Sequence, residues 1–343
     1  MSGPFRLAVV GAGTVTAVSH LPAVIASPEA EIVALVDPVL GRASGLVSRY
    51  NLRARVTSNL AEVLNDVDGA IIATPNNTHF DLVRQCVESR VPVLVEKPLT
   101  TTLEDAERLV DIAESAGVIV GVGYCTRFQD NVQLVHALLE SNWFGAVQRF
   151  VYQYGAVGGW ASESGFHLQR DAVGGGLLVD KGAHFLDRLL HWFGYPDTVE
   201  LEDDSLGGPE ANAVARFHYS RAPMSFEGSA RFSKTVALPG GLVMESERGT
   251  LVVRDGATAP LLFRPRDSED LELTIGPRQR PSEESMDVFR RQLADFIVAC
   301  QEGRLPRVSA RQGLESVRLL RDLYEHRTPM SMTFYNSGNR SGV

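Results

Sequence analysis

Two apolar patterns alternate through the first third of the chain. Short, continuous apolar runs recur at Phe5 to Val10, Glu31 to Val36, Gly69 to Thr74, Val91 to Val95 and Val118 to Val122, too compact for amphipathic helices. Between them, apolar residues return at helical spacing over Val15 to Ile25, Leu60 to Leu64, Phe80 to Ser89 and Leu103 to Ala116. This alternation predicts parallel strands joined by right-handed helical crossovers. Past residue 125 the pattern changes. Phe128 to Trp143 predicts a linking helix and Ala146 to Tyr154 a strand. Short runs follow at Thr198 to Glu202, Ala211 to Tyr219, Met224 to Phe232, Leu242 to Ser246, Thr250 to Val253 and Leu271 to Ile275, separated by turn clusters such as Gly207-Gly208-Pro209 and Pro239-Gly240-Gly241. They predict an antiparallel meander with one face to be covered. Met286 to Cys300, with Ser282 as its cap, and Leu314 to Tyr324 predict two closing amphipathic helices.

Length and composition narrow the class. At 343 residues, two domains are the expectation, and 44% hydrophobic with 22% charged residues suits a globular chain with a sizeable core. A net charge of −9, with no run of Lys or Arg, speaks against nucleic acid and anionic membrane surfaces as partners. The segment MSGPFRLAVVGAG fits no signal peptide, and no apolar run approaches the roughly 18 residues of a membrane span. Cys86, Cys125 and Cys300 are far apart, which reads as free thiols in a reducing cytoplasm. No His/Cys/Asp cluster has metal-ligand spacing, so no metal is expected.

Candidate chemistry begins where the first strand meets Gly11-Ala12-Gly13 and a helix follows. Strand, glycine turn and helix in that order form a dinucleotide-binding context, in which Gly11 permits the tight turn and Gly13 lets the backbone approach a pyrophosphate. Thr14 and Val15 continue that binding turn, while Thr16 stands where the motif has its third glycine and predicts looser helix–strand packing. Asp37 ends the second strand, where an acid accepts the adenosine ribose hydroxyls and repels a 2′-phosphate. This favours NAD, with NADP as the alternative because Arg42 lies five residues on. The fold class is therefore α/β: an N-terminal Rossmann dinucleotide-binding domain (1–124), a C-terminal α+β domain with a largely antiparallel open sheet (125–335), and a polar tail (336–343) that frays.

Farther on, Glu96-Lys97-Pro98 stands at a strand's carboxyl end, where ligands bind in open parallel sheets. Pro98 biases Lys97 toward an extended conformation and so presents it at the strand tip. In the stretch Gly174 to Gly194, Asp180 and His184 are four residues apart, on one face if a helix begins near Lys181. A carboxylate that orients an imidazole suits proton transfer, and a buried pair holding a helix end is the alternative. His191, near that helix's C-terminus, reads as a surface residue satisfied by the dipole.

The segments GAGTVTAVSHLPAV (11–24), ATPNNTH (73–79), EKP (96–98) and GGGLLVDKGAHFLD (174–187) resemble the glucose-fructose oxidoreductase/inositol dehydrogenase/rhizopine-catabolism (Gfo/Idh/MocA) family, and the resemblance runs to about Met330. It implies a catalytic set of Lys97, Asp180 and His184, in which Lys97 meets the reacting hydroxyl, His184 takes its proton and Asp180 assists by hydrogen bonding. It implies that Glu96 binds the nicotinamide ribose and that Thr74, Pro75, Asn77 and His79 line the middle of the cofactor. Arg127, Trp160 and Arg170, with Asp180 and His184, are the candidate substrate contacts. Trp160, His167 and Arg170 fall in the long glycine-flanked stretch 155–176, which reads as a lid.

The implied reaction moves a hydride between nicotinamide and a secondary alcohol or ketone of a sugar, cyclitol or sugar derivative. A nucleotide sugar or glycoside as substrate and a non-catalytic dinucleotide-binding regulator are the alternatives. A homodimer or homotetramer is expected from the architecture and the resemblance together.

Overall fold

The computed structural model describes residues 3–158, 173–206, 208–220, 225–256, 259–268, 270–276 and 285–331. The described chain forms two compact units, one of Met1–Phe128 with Glu283–Val317 and one of Gln129–Ser282 with Arg318–Val343. Ser282 and the tail lie outside the described residues.

The first unit is a parallel sheet of β1 (Phe5–Val10), β2 (Ala30–Val36), β3 (Arg55–Thr57), β4 (Gly69–Ile72), β5 (Val93–Val95) and β6 (Val120–Val122). Its strand order, β3-β2-β1-β4-β5-β6, is that of the doubly wound dinucleotide fold. The expected alternation is present, with α1 (Leu21–Ile25), α2 (Leu40–Arg49), α3 (His79–Glu88) and α4 (Leu103–Ala116) between the strands. Thr102 caps α4 by accepting the Asp105 N–H at 3.2 Å, with Glu104 and Asp105 in the first turn. Leu60 to Leu64 is two 3₁₀ turns, Leu60–Glu62 and Leu64–Asp66, in place of the expected helix.

The two units divide the chain differently from the sequence reading of 1–124, 125–335 and a tail at 336–343. In the structure the linking helix is α5 (Asp130–Glu140), and a late helix, α7 (Ser285–Glu302), packs into the first unit. Phe296 meets Phe5 edge-on at 6.3 Å, Gln292 donates to the Val122 carbonyl at 3.3 Å, and Leu293 and Ile297 join the same core. The boundary then falls inside α8 (Ala310–Glu325), after Val317.

The second unit is built on a mixed, mostly antiparallel sheet of β7 (Val147–Gly155), β8 (Thr198–Asp203), β9 (Asn212–Tyr219), β10 (Phe226–Ser233), β11 (Leu238–Ser246), β12 (Gly249–Val253), β13 (Leu261–Pro265), β14 (Leu273–Ile275) and β15 (Arg327–Pro329). It is not a simple meander. β7 sits between β11 and β10, pairing antiparallel with the first and parallel with the second, and β15 adds a parallel edge to β8. Helix α6 (Ala183–Phe193) buries Phe185, Leu186, Leu189 and Phe193, with Phe185 stacked on Tyr152 at 4.0 Å and Phe193 on Phe150 at 5.4 Å. Aromatic stacking of this kind adds about 1 kcal/mol per pair beyond burial and fixes the face that α6 presents. Among the described residues no helix is long and apolar enough to cross a membrane.

Candidate active site

The glycine turn closes the first unit's binding edge. Gly11 has φ +95°, and a Cβ there would lie 2.3 Å from the Ala73 carbonyl oxygen, so only glycine fits where two strand ends meet. Gly13 is the opposite case: a Cβ there would meet nothing within 4 Å among the described residues, and Gly13 and Thr14 are exposed at the start of the helical segment, with Val15 half-buried. This open, exposed backbone ahead of a helix suits a pyrophosphate. Asp37, 5% exposed, accepts the Ala12 N–H and the Val39 N–H, both at 2.8 Å. Its carboxylate thus ties the glycine turn to the end of β2, and acceptor positions remain for ribose hydroxyls. The residues present fit a bound nicotinamide dinucleotide.

Thr16 does not loosen this turn. Fully buried, it donates its hydroxyl to the Gly11 carbonyl at 2.6 Å and closes the loop from within. The segment expected as one helix over Val15 to Ile25 starts as a π turn, Thr16–His20, before α1. Such turns are rare and frequent at functional sites.

That π turn carries a residue with no sequence signal. His20, 3% exposed, places Nε2 at 2.9 Å from Glu96 Oε1, while its ring meets Phe289 edge-on at 5.2 Å. Glu96 Oε2 accepts the Lys97 N–H at 3.2 Å, so both oxygens of Glu96 are held. Lys97 itself is half-buried at the tip of β5, and the Lys97–Pro98 peptide is cis.

Pro75 and Asn77 are exposed in the turn after β4, and Thr74 and Thr78 share a hydrogen bond at 2.7 Å. His79 departs from the expectation that it lines the cofactor. Its ring has no exposed surface, and its nitrogens lie 2.8 Å from the Pro98 carbonyl and 3.0 Å from the Thr74 carbonyl. Burial lowers its pKa, and a neutral imidazole carries one N–H for these two acceptors. His79 therefore ties together the turns that follow β4 and β5. Arg127 is likewise buried, 3% exposed, in the 3₁₀ turn Cys125–Phe128 of the first unit.

In the second unit Asp180 and His184 sit on the predicted element, which starts earlier than expected. A π turn, Leu178–Gly182, carries Asp180, and His184 lies in the first turn of α6. The turn is pinned by Glu210, which sequence reasoning missed. Glu210, 2% exposed, accepts the Leu178 N–H and the Tyr324 hydroxyl, both at 2.8 Å on Oε1. Its backbone comes so close that a Cβ on Gly176 would lie 2.4 Å from the Glu210 nitrogen. Burial pushes the Glu210 carboxyl above its ordinary range, against the pull of those donors.

Lys234, also missed, places Nζ at 3.3 Å from Asp180 Oδ2, and Lys181 reaches 4.0 Å from Oδ1. Lys181 is adjacent to Asp180 in sequence, but Glu210 lies thirty-two residues from Leu178 and Lys234 fifty-four from Asp180, so no spacing rule could have found them. His191 is not a solvated surface residue: it stacks on His136 with ring centroids 3.9 Å apart. Trp160, His167 and Arg170 lie outside the described residues. Burial pushes the Cys86 and Cys300 thiols up to about 12, which leaves them protonated and non-nucleophilic at neutral pH.

The sequence model of an oxidoreductase family with an NAD-binding Rossmann fold, Gfo/Idh/MocA, matches residues 5–124. The rhizopine catabolism protein MocA of Rhizobium meliloti is 31% identical over 186 residues, 54% of this chain and 56% of that protein. A D-glucoside 3-dehydrogenase of Escherichia coli is 28% identical over 201 residues, 57% of this chain and 56% of that enzyme. The chain thus spans a little over half the length of these two curated relatives. Levoglucosan dehydrogenase, solved with NADH, shares the fold at a TM-score of 0.84 and 17% identity, over 94% of this chain and 96% of that one. The NAD-binding Rossmann unit at 5–124 is similar to the Gfo/Idh/MocA oxidoreductase family, and a mixed sheet follows it.

Proposed function

We propose that the protein is an NAD(P)-dependent dehydrogenase acting on a secondary alcohol, or the matching ketone, of a sugar, cyclitol or sugar derivative. The observation that carries this reading is the pairing of a tightly closed Gly11 with an open Gly13 beside the Asp37 carboxylate. When bound, the nicotinamide dinucleotide supplies the two-electron redox chemistry. Backbone N–H groups at residues 13–15 bind its pyrophosphate, and Asp37, already held by Ala12 and Val39, offers its remaining lone pairs to the ribose. That acid favours NAD over NADP. Glu96, fixed by His20 and the Lys97 N–H, orients the nicotinamide ribose, and Thr74, Pro75 and Asn77 line the cofactor's middle.

Lys97 stabilises the alkoxide that develops on the substrate oxygen. His184 accepts the hydroxyl proton, and Asp180 holds the imidazole in its orientation. Trp160 and Arg170 contribute substrate contacts, while Arg127, buried in its 3₁₀ turn, supports the first unit. A cytoplasmic setting agrees with three cysteines that form no disulfide. A homodimer or homotetramer is supported by the outer face of the second unit's sheet, where Val151 and Val243 face each other across β7 and β11 at 38% and 42% exposure. The relatives named above include a D-glucoside 3-dehydrogenase, which agrees with the substrate class.

The test is nicotinamide reduction followed by absorbance, with NAD+ and NADP+ in turn, against inositols, free sugars, glycosides and nucleotide sugars. Turnover with one class fixes the substrate's size, and NADP+ winning overturns the Asp37 argument. Lys97→Ala should lose about 100-fold or more in turnover with nucleotide binding nearly intact. Wild-type turnover in that variant would remove Lys97 from the mechanism. Tight nucleotide binding with no turnover on any of these alcohols would favour the regulator reading.

A further inference from the structure

We infer that Lys234 is a positioning residue that keeps the Asp180 carboxylate ionised and fixed within its π turn, leaving His184 as the proton acceptor. The inference rests on the proton-transfer roles proposed for Asp180 and His184.

Lys234 follows directly on β10, and its side chain is only 4% exposed. Burying an ammonium group is expensive, and a buried ion pair rarely repays that cost as stability; replacing both partners together by apolar residues of similar size is often neutral or stabilising. The fold alone gives little reason for a lysine here. Its position beside Asp180 Oδ2, at 3.3 Å, gives a chemical one.

The backbone that delivers this ammonium is clamped on both sides. The Lys234 N–H donates to the Ala211 carbonyl at 2.9 Å, and its own carbonyl accepts the Gly158 N–H at 3.0 Å. The flanking Ser233 hydroxyl donates to Asn212 Oδ1 at 2.6 Å and accepts the Val236 N–H at 2.8 Å, while Thr235 donates to the same Asn212 oxygen at 2.9 Å. The cation is therefore held at one place on the carboxylate. The second lysine near Asp180 differs: Lys181 is half-exposed and 4.0 Å from Oδ1, where water screens it.

An anion so placed is a poor proton acceptor for a substrate hydroxyl, because a fixed buried cation stabilises its ionised form. It remains a good electrostatic partner for an imidazolium. The arrangement divides the work: Lys234 fixes the charge of Asp180, Asp180 orients His184, and His184 moves the proton.

The first test needs no substrate. In the ligand-free protein, a carbon-13 titration of the Asp180 carboxyl should show its midpoint rising by about 1 pH unit or more in Lys234→Met, and staying near wild type in Lys234→Arg. Thermal unfolding of Lys234→Met should fall, because the Asp180 carboxylate loses its buried partner, whereas Lys234→Arg should stay near wild type. An unmoved carboxyl midpoint overturns the inference. With NAD+ and an alcohol that the wild type turns over, Lys234→Met should lose about 10-fold or more in kcat/KM and should add little to the loss in Asp180→Asn. Independent, multiplying losses would show that Lys234 does not act through Asp180. If Asp180→Asn and His184→Ala both kept wild-type turnover, the proposed proton-transfer roles would fail, while the carboxyl titration would still report on the lysine.

Discussion

The π turn Thr16–His20 of the first unit and the π turn Leu178–Gly182 of the second both follow glycines and both lead into an α-helix. They differ in where their fixing groups come from. The first is closed by Thr16, whose hydroxyl reaches back five residues to Gly11, and by Asp37, twenty-five residues from Ala12. The second is held by Glu210, thirty-two residues from Leu178, by Tyr324, 148 residues from Gly176, and through Asp180 by Lys234, fifty-four residues away. Local closure makes the dinucleotide edge a nearly self-contained motif. The Asp180 turn exists only when β9, β10 and α8 are already in place around it.

The two closing glycines measure that difference most directly. At Gly11 an alanine would combine a disfavoured φ with a clash against the Ala73 carbonyl, backbone on backbone. Gly11→Ala should cost about 3 kcal/mol or more in the first unit, read by denaturant unfolding. Gly13→Ala, where the added carbon meets no described residue, should leave stability within about 1 kcal/mol and should instead weaken NAD binding. At Gly176 the intruding carbon meets the Glu210 backbone, from a distant strand connection that has some room to shift. Gly176→Ala should cost less, about 2 kcal/mol, and its loss should fall on turnover because the Asp180 turn moves with it. Equal losses at Gly11 and Gly176 would erase the distinction.

This contrast also marks what was legible in the sequence. The parallel strands, the Asp37 position and the strand-tip placement of Lys97 follow from compact apolar runs alternating with a period of 3.6 and from glycine and proline chemistry. The Asp180–His184 element was legible as an element, but its start was not, because five residues of π turn have no hydrophobic period that separates them from α-helix. The strands Arg55–Thr57, Leu261–Pro265 and Arg327–Pro329 escaped because three to five residues carrying Arg or Pro read as loop. His20, Glu210 and Lys234 escaped for another reason. Each is an ordinary polar residue whose meaning depends on a partner that only the tertiary fold brings close.

A smaller test concerns Thr16, at the position where the sequence suggested looseness. Thr16→Val keeps the shape and removes the hydroxyl, leaving the buried Gly11 carbonyl without that donor. The expected cost is about 1 kcal/mol, confined to the first unit. A neutral result would mean that the side chain's volume, and not its hydrogen bond, closes the turn.

The subtlest separation of the two units is by pH. Burial lowers the pKa of His79 below its ordinary 6.5, so the folded state favours the neutral ring. The stability tied to His79 is fully present above pH 6.5 and is lost as pH falls through the folded value, because the unfolded chain then binds the extra proton. Burial raises the pKa of Glu210 above its ordinary 4.5, and the sign reverses. Its contribution is fully present below pH 4.5 and is lost as pH rises through the folded value, since the unfolded chain ionises first. Each group has a limiting slope of about 1.4 kcal/mol per pH unit. Acid should therefore weaken the turns around His79, while rising pH weakens the turn under Asp180. Hydrogen exchange of the Ala73 and Leu178 amides across a pH series, corrected for intrinsic exchange, reads the two units separately. Glu210→Gln keeps an oxygen for Leu178 and Tyr324 but cannot ionise, so it should flatten the second slope and leave the first untouched. If that variant left the slope at Leu178 unchanged, the buried carboxyl would not be its source.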